Sequence, residues 1–145
     1  MRRFAVVSSW QGKGIELPQR KTRASAGYDF RAAENVILHP GVVTLVPTGI
    51  KAYMNQNEVL QLFIRSSLAI RQIILANGTG IIDADYADNP DNEGHIFVAL
   101  LNLGPEPVQI EKGQRIAQGI FLNYLCTDTD QAEGERKGGF GSTGV

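Results

Sequence analysis

Apolar positions along this chain fall in short runs, each closed by turn chemistry. Arg2 to Ser8, Gly27 to Ala32, Val42 to Ile50 and Glu58 to Ile64 read as strands. So do Gly80 to Asp83, His95 to Leu103, Pro107 to Ile110 and Gln114 to Leu125. They are rich in β-branched and aromatic residues, which suit a pleated, half-buried surface. The punctuation between them is HPG, MNQN, NPDN, LGPEP and EKG, residue types that favour turns. One segment, Ser66 to Gln72, predicts a helical turn or two, with Ser66 or Ser67 as its cap. Thr127 to Glu135 is acidic, has no apolar period and reads as a flexible linker into a glycine-rich tail. The expected class is all-β: a sandwich, jelly roll or barrel.

Composition narrows the function classes. A chain of 145 residues with 43% hydrophobic and 20% charged content suits one globular domain with a real core. A formal net charge of -1 argues against a general nucleic-acid binder, which would carry a basic face. The single cysteine, Cys126, cannot close an internal disulfide and reads as a small buried side chain; a reducing cytoplasm is the expected compartment. The first residues, MRRFAVVSSW, lack the apolar run of a signal peptide, and no stretch approaches a membrane span.

Four stretches carry more chemistry than strands require. At Ile64 to Ala69 (IRSSLA) a cation and two hydroxyls meet a helix start, which suits either a phosphate or an ordinary cap. At Asn77 to Tyr86 (NGTGIIDADY), Gly78 and Gly80 permit a sharp hairpin that a flat ligand can approach closely. Asp83 and Asp85 follow at alternate positions and share a face of an extended strand, where they can hold a cation or divide acid/base work. At Ser25 to Phe30 (SAGYDF), Asp29 lies between aromatic residues and needs a partner. That partner is either a hydrated Mg²⁺ or one of the cations Arg23 and Arg31. The tail spells G-x-G-x-x-G from Gly139 to Gly144, but no βαβ unit surrounds it, so it is no dinucleotide turn. His39 and His95 have no second ligand at metal spacing.

Taken in order, SAGYDF, RSSLA, GIIDADY, KGQRIAQGIF and GGFGSTG resemble the five motifs of the trimeric deoxyuridine triphosphate nucleotidohydrolases, the dUTPases. The resemblance spans Ser25 to Gly144. It implies a jelly roll or distorted β-barrel over residues 1–126, with one short helix. Residues 127–145 would be a linker and a mobile arm that closes over an active site. It also implies a homotrimer with sites shared among subunits, and hydrolysis of dUTP to dUMP and pyrophosphate with Mg²⁺.

By the same resemblance, Asp83 is the general base that activates water, with Gln118 and Asn77 positioning it, and Asp29 holds Mg²⁺ through water. Arg65, Ser66 and Ser67 meet the phosphate chain, Gly80 and Ile82 belong to the uracil-reading hairpin, and Tyr86 packs on the sugar. From the arm, Phe140 stacks on uracil, while Gly141, Ser142, Thr143 and Arg136 serve the γ-phosphate. Arg136 lies one position nearer Phe140 than the family's arginine, and Lys137 is a substitute for it. The link Ala87 to Gly94 is longer than the family's and reads as an exposed excursion, either decoration or a surface for a protein partner. Two alternatives follow: a nucleotide-dependent regulatory protein on this fold, and a dCTP deaminase. The deaminases resemble it at RSSLA, but expect a catalytic glutamate where Ala99 stands.

Overall fold

The computed structural model describes residues 1–141. It places eleven strands in four open antiparallel sheets. β1 (Arg3–Val6) pairs with β5 (Ile50–Tyr53), and β3 (Val36–Leu38) with β10 (Val108–Ile110). β4 (Val43–Pro47), β9 (Phe97–Asn102) and β7 (Ile73–Leu75) form a three-stranded sheet in that order. The largest sheet runs β2 (Tyr28–Arg31), β11 (Arg115–Asn123), β6 (Glu58–Ile64), β8 (Gly80–Asp83). Among the described residues no sheet closes on itself into a barrel. The arrangement is that of a jelly roll, with a single short helix, α1 (Ser66–Ile70).

Burial follows from the sequence pattern. β9 alternates half-buried and buried along its length, as a strand packed on one face does. Phe30, Leu38, Val46, Ile50, Leu60, Ile73, Ile96, Leu100, Ile110 and Ile116 come from all four sheets or their flanks and meet in one core. Each fully buried Leu or Ile there contributes roughly 1.5–3 kcal/mol. Buried polar groups are matched: Asn102 Nδ2 donates to Leu38 O (2.9 Å) and Glu106 O (2.8 Å), and its Oδ1 accepts from Gly104 N (2.9 Å). No helix among the described residues is long and apolar enough to cross a membrane.

Four sequence expectations need correction. The run Val42 to Ile50 is not one strand, because Gly49 takes φ 73° and turns the chain between β4 and β5. The three-residue strands β3 and β7 are too short to leave a periodic signal. The cap of α1 is Arg65, extended at φ -80° and ψ 145°, and no side chain caps the helix. Cys126 is exposed rather than buried, because the chain has left the sheet after Asn123.

Candidate active site

β2 and β8 are the two edges of the four-stranded sheet, and each edge carries a cleft. The first cleft, of about 820 Å³, opens beside β2 and the start of α1. Its wall carries Lys21, Arg65, Arg115, Ser66, Ser67 and Gln118, and Asp29 is the only acid on it among the described residues. Since neither serine caps α1, both hydroxyls are available to a ligand. Asp29 Oδ2 accepts from Arg115 Nη1 at 3.1 Å, and its Oδ1 lies 3.6 Å from Arg65 Nε. These, and not Arg23 or Arg31, are the partners a half-buried carboxylate requires. Arg31 instead pairs with Glu16, Nε to Oε2 at 3.3 Å.

Arg115 is the residue that sequence reasoning passed over. Three positions separate it from Gln118, so in a regular strand the two would face opposite ways. The register of β11 on β2 shifts between Arg115 and Ala117, a bulge that leaves Ile116 and Ala117 both buried. Arg115 and Gln118 thereby reach the same cleft. The signal was present in KGQRIAQGIF as two adjacent core residues, Ile116 and Ala117, breaking the strand alternation.

The second cleft, of about 330 Å³, lies along β8. Asn77, Gly80, Ile82, Asp83 and Tyr86 line it, together with Phe140 and Gly141 of the arm. Gly78 turns the hairpin at φ 73°. Gly80 serves packing instead, since a Cβ there would lie 2.9 Å from Leu62 Cβ. Phe140 is 68% exposed and meets Phe97 edge-on, with ring centroids 6.2 Å apart. Arg136 donates through Nη2 to Asp83 Oδ2 (2.5 Å) and through Nε to Asp85 Oδ1 (2.6 Å). The paired carboxylates thus hold a cation, and it is the arm's own. Burial opposes charge on Arg136, but Asp85 and Asp83 together hold its guanidinium above the usual range. Burial also pushes the Tyr86 phenol up, so it stays protonated at neutral pH. Ser142 and Thr143 lie outside the described residues.

The two clefts do not merge within one protomer. Asp83 pairs with Val59 on β6, whereas Gln118 pairs with Phe63 on the same strand. Two strand spacings and four residues of rise separate Gln118 from Asp83, roughly 16 Å. Asp29 lies one strand farther, about 20 Å from Asp83 by the same spacings. One water cannot be held by Gln118 and Asp83 of the same chain.

Comparison with known proteins places these features. Residues 13–144 match the dUTPase family. A deoxyuridine 5'-triphosphate nucleotidohydrolase of Lactococcus lactis is 50% identical over 100% of this chain and 99% of its own length. One from Brucella melitensis is 40% identical over 98% and 93%. The crystal structure of the dUTPase from Streptococcus mutans superposes with a TM-score of 0.82 at 43% identity, covering 86% of this chain and 98% of the other.

Proposed function

The chain belongs to the dUTPase family and is a dUTP nucleotidohydrolase, and we propose that it works through sites assembled from more than one copy of itself. The observation that carries this reading is the separation of Asp83 from Gln118 and the cationic cleft. Arg65, Arg115, Ser66 and Ser67 form a wall suited to polyphosphate but without a carboxylate free to act as base. Asp83, Asn77 and Tyr86 form a wall suited to a nucleoside but without phosphate-binding cations other than Arg136. A homotrimer that sets the first wall of one subunit against the second wall of its neighbour supplies both.

In such a site Arg65, Arg115, Ser66 and Ser67 bind the phosphate chain. Phosphoryl transfer gains most from this kind of positioning and charge stabilisation. Asp83, with Asn77 and the neighbour's Gln118 orienting the water, accepts its proton as the oxygen attacks the α-phosphorus. The bond from that phosphorus to the bridging oxygen breaks, releasing dUMP and pyrophosphate. Asp29 is the acid on the phosphate wall with the charge to hold Mg²⁺. Because Arg115 and Arg65 already share that charge, its chemistry fits a hydrated ion held through water, as Mg²⁺ prefers. Bound to the triphosphate, the ion would offset phosphate charge.

The hairpin of Gly80 and Ile82 reads uracil, and Tyr86 lies against the sugar, where a ribose 2′-hydroxyl would clash. The arm closes over the site, with Phe140 on the base, and Arg136, Gly141, Ser142 and Thr143 on the terminal phosphate; closure of this kind excludes water. A cytoplasmic setting fits the lone, exposed Cys126. Pyrophosphate release across dUTP, UTP, dTTP and dCTP, with and without Mg²⁺, tests the reading. Turnover confined to dUTP and dependent on Mg²⁺ is expected; ammonia release from dCTP would overturn it.

A further inference from the structure

The link of residues 87–94, which the sequence presents as an exposed excursion, ties most of its polar side chains back to the fold by hydrogen bonds. Its two shoulders are fastened to β5. Lys51 Nζ donates to Asp88 Oδ1 (2.6 Å) and Glu93 Oε2 (2.9 Å), and Tyr53 Oη donates to Asp88 Oδ2 (2.6 Å). Ser8 adds its backbone N to Glu93 Oε2 at 2.9 Å, and its hydroxyl to Glu93 Oε1. Across the neck, Asp88 N donates to Glu93 O at 2.9 Å.

Inside this frame two asparagines are each bonded through both amide oxygen and amide nitrogen. Asn89 Nδ2 donates to Tyr86 O (2.7 Å), and Asn89 Oδ1 accepts from the backbone of Asp91 (3.0 Å) and Asn92 (3.1 Å). Asn92 Oδ1 accepts from Asn89 Nδ2 (2.8 Å) and Gly94 N (3.0 Å). That leaves Asn92 Nδ2 aimed at the Tyr86 hydroxyl, which it reaches at 2.8 Å. The hydroxyl in turn donates to His95 O at 2.6 Å. The phenol is therefore pinned both as acceptor and as donor, while Asn92 itself does not line the cleft. The arm uses the same support. A Cβ on Gly139 would fall 2.6 Å from Tyr86 Cε1, and one on Gly138 would fall 2.9 Å from Asp91 Cβ.

Excluding a single hydroxyl by shape demands a wall that does not yield. A ring free to swing by a few tenths of an ångström would admit it, and precision of this order comes from supporting hydrogen bonds. We propose that Asn92 is a positioning residue for Tyr86, so that the 87–94 link sets how strictly the site distinguishes deoxyribose from ribose. This rests on the reading of Tyr86 as the sugar filter.

The test compares kcat and KM for dUTP and UTP by pyrophosphate release, with thermal melts alongside. Asn92→Asp keeps an acceptor for Gly94 N and Asn89 but removes the donor to Tyr86; Tyr86→Phe removes the same bond from the ring side. Each is expected to lower the dUTP-to-UTP ratio of kcat/KM by about tenfold, the scale of one hydrogen bond. Most of the change should be a gain on UTP, and the double variant should go no lower than Tyr86→Phe alone, which already lacks the Asn92 bond. A link that only stabilises the fold would lower the melting temperature and scale both substrates together, which overturns the proposal. Should Asn92→Asp fail to fold, Asn92→Ala takes its place, because Tyr86→Phe also removes the bond to His95 O. Tyr86→Ala separates the two levels. If it lowers the ratio while Asn92→Asp and Tyr86→Phe leave it unchanged, the role of Asn92 falls and the sugar filter stands. If Tyr86→Ala leaves the ratio unchanged, the filter falls and the Asn92 proposal with it.

Discussion

Arg136 of the arm and Asp83 of β8 form an ion pair within one protomer, Nη2 to Oδ2 at 2.5 Å. The carboxylate assigned to activate water and the cation assigned to phosphate neutralise each other, with Asp85 as a second anchor at 2.6 Å. A nucleotide's phosphates are a natural competitor for that guanidinium, since arginine matches phosphate and carboxylate geometry alike.

Replacing Asp83 with Asn keeps the shape of the side chain but removes the proton acceptor. Turnover of dUTP should fall by about 10²–10⁴-fold, the usual worth of a general base. KM should change far less, and size-exclusion elution should not change. Substantial residual turnover would remove Asp83 from the role of base.

Asp85→Asn tests the docking of the arm. The Asp85 side chain is 59% exposed, so the pair is worth only a fraction of a kcal/mol, on the order of 0.2–1. Trypsin cleavage after Arg136 or Lys137 should accelerate by roughly 1.4- to fivefold in the variant, the same energy expressed as a rate. Added salt should act in the same direction on the wild-type protein, because it screens a surface pair. Equal cleavage rates in variant and wild type would mean that the glycine contacts, and not the carboxylates, hold the arm.

Shared sites predict complementation. Asp83→Asn and Arg65→Ala damage opposite walls, so each homogeneous variant should be nearly inactive. Co-refolded at equal amounts, the two should recover activity in about a quarter of sites, the random-assortment expectation for a site built from two subunits of a cyclic oligomer. A mixture no more active than its components would place all the machinery in one chain.

His95 gives a pH dependence of stability. It is buried, its Nε2 accepts from Gly49 N at 2.8 Å, and Phe97 packs on it with centroids 4.2 Å apart. Burial disfavours the imidazolium and pulls its pKa down from 6.5 to about 4, the nearby Glu93 only partly offsetting this. The unfolded chain takes up this proton as pH falls through 6.5, while the folded chain resists until about 4. Stability is therefore complete above that window and declines within it, by about 3 kcal/mol at its lower end. Glu93, held down to about 2 in the folded chain by Lys51 and Ser8, begins to contribute only near its ordinary 4.5, at the bottom of the window. Urea melts at pH 7 and pH 4.5 should show the loss, and His95→Gln should flatten it even if less stable throughout.

Much of this protein is legible in local chemistry. Strands such as Glu58–Ile64 and Gly80–Asp83 are bounded in the sequence as they are in the fold, because side-chain alternation and turn residues are short-range signals. The chemical character of Asp83, Asp85, Arg65 and the serine pair is equally plain from residue type and order. Three things needed the tertiary structure. Only strand register places Gln118 and Asp83 roughly 16 Å apart, the separation on which the proposal of a shared site rests. Only the bulge at Ile116 turns Arg115 toward Asp29 and the phosphate wall. Only the approach of β5 to the 87–94 link, through Lys51, turns a loop that reads as surface into the brace of Tyr86. Each depends on which distant segments become neighbours. That is settled by how the sheets share one core, and no window of local sequence contains it.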